Sequence, residues 1–447
     1  MQRFLAFGSS FLLLLVFWAG CSAAGGKVTS AATGAGGGGS GGGSTGSEGG
    51  SLSIGATGTG GNVISAAHLK GKVVAPEGTI PIYGALVYVA ATPPPAIPDG
   101  VYCDECVHLD SSIAFTTTKP DGTFDLGTDS VGKGYLVVQK GAFRRVRPIT
   151  VAAGAQDVPK ALTTMPSHMD KANGDDIPKI AIVVGAWDPI EIVLARMGLD
   201  AKLSQDLFGK TQVLSKDASA FAIYGIQNLG EVSPYPSPIT LLTTPSEIEK
   251  YHMVFIPCSG SVNSDPGSGP QCSGVFSFDA KVPSTIEGFV KKGGRVYASD
   301  WSYEYVRQIF PGFVSWKGEN QQIGSACMNG GGDQSAPPVD ADLAAWLAAQ
   351  GQTLTTVKDA WMSITDVHTH ADVDAKGTAV NETPKVWVHA DASPATTSFK
   401  HGCGRVLYST YHTQPTAETN GPLEPQALSL LYLILEVGVC IDDKIPG

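Results

Sequence analysis

From residue 63 to residue 165, short runs of alternating apolar and polar positions are separated by Gly, Pro and Asp-Gly pairs. The runs at 71–75, 85–91, 112–118, 123–126, 134–139 and 147–151 fit strands, whose side chains point to opposite faces in turn. No helical period interrupts them, so the pattern predicts an all-β sandwich. Between two of these runs, Lys119-Pro120-Asp121-Gly122-Thr123-Phe124 reads as a turn. Proline fixes φ early in it and glycine accepts a positive φ late. Residues 166–178 are polar and read as a linker, after which the rhythm changes. The continuous apolar run at 179–184 suits a strand buried on both faces, and 189–197 continues as a helix ending at Gly198. Strands at 221–226, 252–257, 295–298, 385–389 and 405–408 are interspersed with helices at 245–250, 283–291, 303–310, 339–350 and 426–437. Such alternation predicts a mainly parallel sheet covered on both faces. The expected architecture is multidomain, a β-sandwich over 63–165 followed by a three-layer α/β domain over 179–440.

The first 61 residues follow neither rhythm. Arg3 precedes an apolar stretch from Phe4 to Trp18, and Ala19 and Gly20 lead into Cys21. A basic start, an apolar stretch and small residues at its end are the order of a secretory signal, expected over 1–20. The cysteine directly after Ala-Gly resembles the bacterial lipobox, which implies cleavage before Cys21 and its lipidation; Ser22 after it implies the outer membrane. Residues 21–61 are almost all Gly, Ser, Thr and Ala, too little apolar surface to offset the entropy of ordering, and read as a disordered tether. The resulting expectation is a cell-envelope protein held to a membrane by its lipid.

Net charge is -11 with no basic run, which excludes wholesale binding to a nucleic-acid backbone or to anionic lipid through clustered Lys and Arg. Arg144, Arg145 and Arg147 are the one local group and read as a solvated strand face. The expected partners are the membrane, through the anchor, and an unidentified envelope ligand or protein. Eight cysteines leave seven after Cys21, and in an oxidising compartment some of these pair. Cys258 with Cys272 closes a loop rich in Ser, Gly and Pro and is the preferred local pair. Cys103-Asp104-Glu105-Cys106 follows a proline-laden loop and has no second C-x-x-C to complete a four-thiolate site, so it reads as a loop staple.

Four landmarks of the first unit resemble the carboxypeptidase regulatory-like domain: Gly71-Lys72-Val73-Val74, Gly84 to Val89, Thr118 to Phe124, and Gly134-Tyr135-Leu136-Val137-Val138. That resemblance implies a transthyretin-like sandwich acting as a non-catalytic accessory module. In the second unit, Tyr251 to Pro257, Phe289 to Asp300 and Gly404 to His412 are similar to the class I glutamine amidotransferase-like fold, a flavodoxin-like α/β layer. Active members carry a cysteine at a strand-to-helix elbow, a histidine near the chain's end and a glutamate two places later. The matching positions here hold Asp300, His412 and Gln414. An aspartate is a poor acyl acceptor for amide hydrolysis, and a glutamine cannot orient and stabilise an imidazolium as a carboxylate does. The resemblance therefore implies a domain that has lost its triad, with a non-catalytic binding or scaffolding role rather than enzymatic activity.

The opposing expectation is a metal-assisted or serine hydrolase acting on an envelope substrate. Ser299 beside the elbow could pair with His412, and Cys258 is a rival nucleophile that a bond to Cys272 would silence. Asp300 could instead cap the helix ahead of Trp301. Asp366-Val367-His368-Thr369-His370 would place three ligands on one face of a strand, as a divalent metal requires, with His389 as a further donor. Its plainer reading is an exposed polar strand or hairpin. No phosphate loop or dinucleotide fingerprint occurs, so no cofactor is expected.

Overall fold

A computed structural model of the chain describes residues 65–103, 109, 112–183, 188–201, 203–205, 211–213, 220–225, 235–258, 274–275, 279–317, 325–326, 332–374, 376–413 and 423–437. The expected signal, Cys21 and the tether lie outside the described residues, as do Cys106, Cys272 and Gln414. Among the described residues, no helix is long and apolar enough to cross a membrane.

The N-terminal strands are β1 (Ala67–Lys72), β2 (Leu86–Ala90), β3 (Phe115–Thr117), β4 (Thr123–Thr128), β5 (Gly132–Lys140), β6 (Phe143–Val151), β7 (Gly154–Asp157) and β8 (Asp175–Asp176). They form two sheets, ordered β4-β1-β7 and β3-β2-β5-β6-β8. Alternation sorts their side chains: Leu136 and Val138 of β5 enter the main core, while Val137 joins Tyr88 and Val146 in a small cluster. The turn before β4 places Gly122 at φ +80°, with its carbonyl accepting from the Val73 amide at 2.8 Å. A Cβ there would meet the Val73 oxygen at 2.4 Å, so only glycine fits.

The three arginines are not a solvated face. Arg144 is buried and pairs with Asp176 at 2.8 Å, while Arg145 and Arg147 meet Asp175 at 2.9 and 2.6 Å. Acids of the segment expected to be a linker thus return as β8 to the edge of β6, where buried guanidinium groups find the partners their desolvation demands.

A further, larger sheet contains β9 (Ile180–Val183), β10 (Phe221–Tyr224), β11 (Met253–Ile256), β12 (Arg295–Ser299), β13 (Lys385–Ala390), β14 (Ser393–His401) and β15 (Gly404–Ser409). Its order is β10-β9-β11-β12-β15-β14-β13. The first five strands run parallel, and β14 and β13 add an antiparallel edge. The central strands are buried on both faces, as their unbroken apolar runs require: Ile180, Ile182, Met253 and Phe255 face one core cluster, and Ala181, Val183, Val254 and Ile256 the other. Helices α1 (Ile190–Arg196), α3 (Ala341–Ala349) and α4 (Pro425–Val437) contribute to the first cluster, and α2 (Val282–Lys291) to the second. The whole is a mixed α/β architecture of several sheets and, among the described residues, eight α-helical segments. The helix expected over 303–310 is a 3-10 turn, Asp300–Tyr303, running into one α-turn, Glu304–Arg307.

The first cluster does not stop at the linker. Leu69, Phe124 and Leu136 of the N-terminal sheets share it with Phe255, Trp346 and Leu431. Specific contacts tie the same regions together: the Trp346 indole donates to the Pro81 carbonyl at 2.8 Å, and His252 Nε2 meets the Pro98 carbonyl at 3.1 Å. Burial lowers the His252 pKa to about 4, so the ring is neutral at physiological pH; it accepts from the Lys179 amide and donates to Pro98.

The local cysteine pairings preferred on the character of their loops give way to a different bond. Cys103 is joined to Cys403, 300 residues away, with the Cα atoms 5.2 Å apart. Cys403 sits in the tight turn between β14 and β15, and its amide donates to the Lys291 carbonyl at 3.1 Å. Beside it, a Cβ on Gly293 would lie 1.9 Å from the Tyr102 oxygen, which shows how closely the Cys103 segment presses on this end of the sheet. A short loop-closing pair was the local choice; folding brings the distant one within bonding range. Cys258 retains its thiol.

At the start of α3, Asp340 accepts from the Leu343 amide at 2.8 Å and also pairs with Lys385 at 2.8 Å. Asp340→Ala removes this cap and is expected to lower the unfolding free energy by about 1 kcal/mol, read as a shift of the urea midpoint at unchanged slope. An unchanged midpoint would show that the cap is without weight here.

Candidate functional site

Parallel strands deliver their carboxyl ends to one edge of a sheet, so the residues that follow them meet there. In the pairing of β11 with β12, Ile256 lies opposite Ala298. Two residues beyond each stand Cys258 and Asp300. On the other side of β12, Ser299 lies opposite Ser409 of β15, and three residues beyond Ser409 is His412. The order of the strands thus gathers a thiol, a carboxyl and an imidazole from positions widely separated in the chain.

No residue intervenes between β12 and the 3-10 turn that follows, so Asp300 makes the change of direction itself, at φ +43°. Aspartate is among the few non-glycine residues that enter the left-handed region without heavy cost. The Tyr408 hydroxyl donates to its carbonyl at 2.8 Å and holds the bend. Asp300 is not the cap expected from the sequence: Ser299 occupies that position and caps nothing with its side chain.

Asp300 points its carboxyl into the cluster instead. The Cys258 thiol donates to Asp300 Oδ2 at 3.7 Å, and His412 Nε2 lies 3.8 Å from the same oxygen. One ligand atom from each of the three residues lies within 4.8 Å of the others. Cys258 and Asp300 are fully buried and His412 is 3% exposed. Asp300 Oδ1 and both nitrogens of His412 have no hydrogen-bond partner. Burial raises the Asp300 carboxyl well above its ordinary pKa; the Cys258 thiol opposes this, and the charge of Asp188 adds to it.

Asp188, which follows β9 and is itself fully buried, lies beneath the cluster. It accepts from the Thr413 amide at 2.9 Å, from the Thr413 and Ser299 hydroxyls, and from the Tyr297 hydroxyl at 3.3 Å. Ser299 also accepts from the Cys258 amide at 3.0 Å. With its proton committed to Asp188, Ser299 is a positioned structural group, and the sequence-expected pair with His412 does not form. Glu191, in the first turn of α1, is a further buried acid; burial, then the charge of Asp188, push its pKa to about 8, and its Oε2 has no partner.

The D-x-H-x-H motif is divided by the fold. The strand Ile364–Val367 pairs with Val314–Trp316, and a new strand, His370–Val373, pairs with Ala379–Glu382, so His368 falls in the break. His368 Nε2 meets the Ser315 hydroxyl at 2.7 Å, His370 packs 4.9 Å from the Phe313 ring, and Asp366 is exposed with its carboxylate on the Val367 amide. Among the described residues these three do not form a metal-ligand group; Cys258, Asp300 and His412 do.

The expectation of a triad-less, non-catalytic module is therefore corrected. It looked for the thiol at the elbow position and found an acid there. The sulfur comes from the neighbouring strand, at the position level with the elbow, and the cluster gathers three groups able to bind a metal or act in catalysis at the carboxyl-end edge of the sheet. The geometry also says which chemistry they suit. In thiol hydrolysis the imidazole stands between acid and thiol, one nitrogen on each. Here a single carboxylate oxygen faces both sulfur and nitrogen. Zinc bonds of about 2.3 Å to sulfur and about 2.0–2.2 Å to nitrogen and oxygen imply tetrahedral edges of roughly 3.5–3.7 Å between sulfur and oxygen and roughly 3.3–3.5 Å between nitrogen and oxygen. The observed 3.7 and 3.8 Å are within a few tenths of that.

No protein-family model matches the chain, and no curated protein matches it. Among solved structures, a cytoplasmic protein from Salmonella typhimurium is 9% identical with a TM-score of 0.29, covering 58% of this chain and 98% of its own. A thua-like protein from Parabacteroides merdae is 11% identical with a TM-score of 0.27, covering 60% and 93%. A beta-galactosidase from Bacillus circulans sp. alkalophilus is 12% identical with a TM-score of 0.26, covering 59% and 31%. Likenesses at this level carry no argument about function.

Proposed function

We propose that this protein is a metal-dependent hydrolase in which Cys258, Asp300 and His412 hold a zinc-type divalent ion. The carrying observation is the buried convergence of sulfur, oxygen and nitrogen within 4.8 Å, with the imidazole nitrogens unpartnered. Thiolate and imidazole together select borderline-soft ions such as zinc. Cys258, Asp300 and His412 would hold the ion, and an ion so held would supply the acidity that activates water for hydrolysis at neutral pH.

We read residues 179–440 as a flavodoxin-like layer and residues 63–165 as a transthyretin-like sandwich. Supporting the first is the order of the parallel strands, second-first-third-fourth-fifth by chain position. In sheets of that order ligands gather where the winding reverses, here between β9, which leads to Asp188, and β11, which leads to Cys258. The Cys103–Cys403 bond supports an oxidising compartment, and hence a substrate in the cell envelope.

The test is metal analysis of the purified full chain loaded with zinc, followed by hydrolysis assays on envelope fractions. About one equivalent is expected, lost in Cys258→Ala and His412→Ala and kept in His368→Ala and His370→Ala. Hydrolysis should vanish on chelation and return with zinc. Folded wild-type protein that takes up no metal, or activity indifferent to chelation, sinks the proposal.

A further inference from the structure

The three ligands are held from below by one side chain. Asp188 Oδ1 accepts both the amide and the hydroxyl of Thr413, the residue after His412. Asp188 Oδ2 accepts the hydroxyl of Ser299, the residue before Asp300, and that hydroxyl in turn accepts the Cys258 amide at 3.0 Å. Each ligand is therefore one covalent step or one hydrogen bond from a group bonded to Asp188.

We propose that Asp188 is the positioning residue of the Cys258–Asp300–His412 centre, setting the relative orientation of all three ligands without touching the ion. This inference rests on the metal reading above. A carboxylate suits the task because it only accepts: its two oxygens take four donors and leave their direction unambiguous. An asparagine in the same place would turn an NH2 group toward hydroxyl and amide donors, breaking one side of the arrangement. Outer groups that orient metal ligands typically change affinity 10–100-fold when removed.

The experiment measures zinc affinity by competition with a chromophoric chelator, and the sulfur-to-cobalt charge-transfer absorption of the cobalt-loaded protein. Wild type, Asp188→Asn, Thr413→Val and Thr413→Ser are compared, with thermal unfolding of each. Asp188→Asn is expected to bind zinc 10–100-fold more weakly and to shift the cobalt band while unfolding cooperatively. Thr413→Val, which removes one hydroxyl donor and keeps the amide contact, should show a smaller loss of the same kind, and Thr413→Ser should match wild type. Thr413→Val carries the test if Asp188→Asn does not fold. If wild type binds zinc and the variants bind it within twofold, with unchanged cobalt spectra, the role of Asp188 is overturned and the metal centre stands. If wild type binds neither ion, the centre falls and this inference with it.

Discussion

Glu191→Gln raises the unfolding free energy at pH 8 by roughly 4 kcal/mol and leaves it unchanged below about pH 4. The ordinary glutamate pKa is 4.5, and in the fold burial, reinforced by Asp188, lifts that of Glu191 to about 8. A group whose pKa is raised on folding gives stability that is complete below the unfolded value and lost as pH rises through the folded one. Between pH 4.5 and 8 the unfolded chain releases this proton while the native protein keeps it, so stability falls by about 1.4 kcal/mol per pH unit. Glutamine keeps the shape, cannot ionise, and removes that slope. Urea unfolding of both proteins from pH 4 to pH 8 checks it, because other titrating groups cancel in the difference. Curves that stay parallel over the whole range would show that Glu191 ionises freely in the folded state.

Cys403→Ser lowers the unfolding free energy by about 5 kcal/mol. The Cys103–Cys403 bond closes a loop of 300 residues, and in the chain-entropy account the restraint placed on the unfolded ensemble grows with the logarithm of loop length. Cys103→Ser should give the same loss, and the double variant no more than either single one, because all three delete one cross-link. The measurement is the denaturant midpoint with its slope, since an opened unfolded state also steepens the transition. Midpoints equal to that of wild type would mean that the bond is absent in solution or without thermodynamic weight.

Much of the architecture was legible in the order of residues. Continuous apolar runs such as Ile180 to Val183 identified strands buried on both faces, and the Pro-Asp-Gly turn before Thr123 lies where expected. These are local signals, carried by periodicity and by backbone preferences of single residues. Asp300 and His412 stand out in the sequence as well, and the fold places them side by side. What did not show was the third member. The sequence offers Cys258 only as a rival nucleophile or half of a loop disulfide, because its relation to Asp300 exists only once β11 and β12 lie in register. Asp188 left no trace for the same reason: its four donors arrive from β12 and from the end of β15, more than 100 residues downstream. The Asp366 to His370 motif erred in the opposite direction. It carried the right spacing for one strand face, but the chain changes partners between Val367 and His370, so the period of two is broken where it was needed.

The remote pairing of Cys103 with Cys403 also constrains how the protein is made. Its second cysteine is synthesised 300 residues after the first, beyond nearly the whole of the large sheet. During synthesis the early sulfur must therefore wait unmated, open under oxidising conditions to mispairing with another cysteine, until the hairpin carrying its mate has docked. Oxidation of this pair would then be a late maturation event, one that distinguishes finished molecules from abandoned ones.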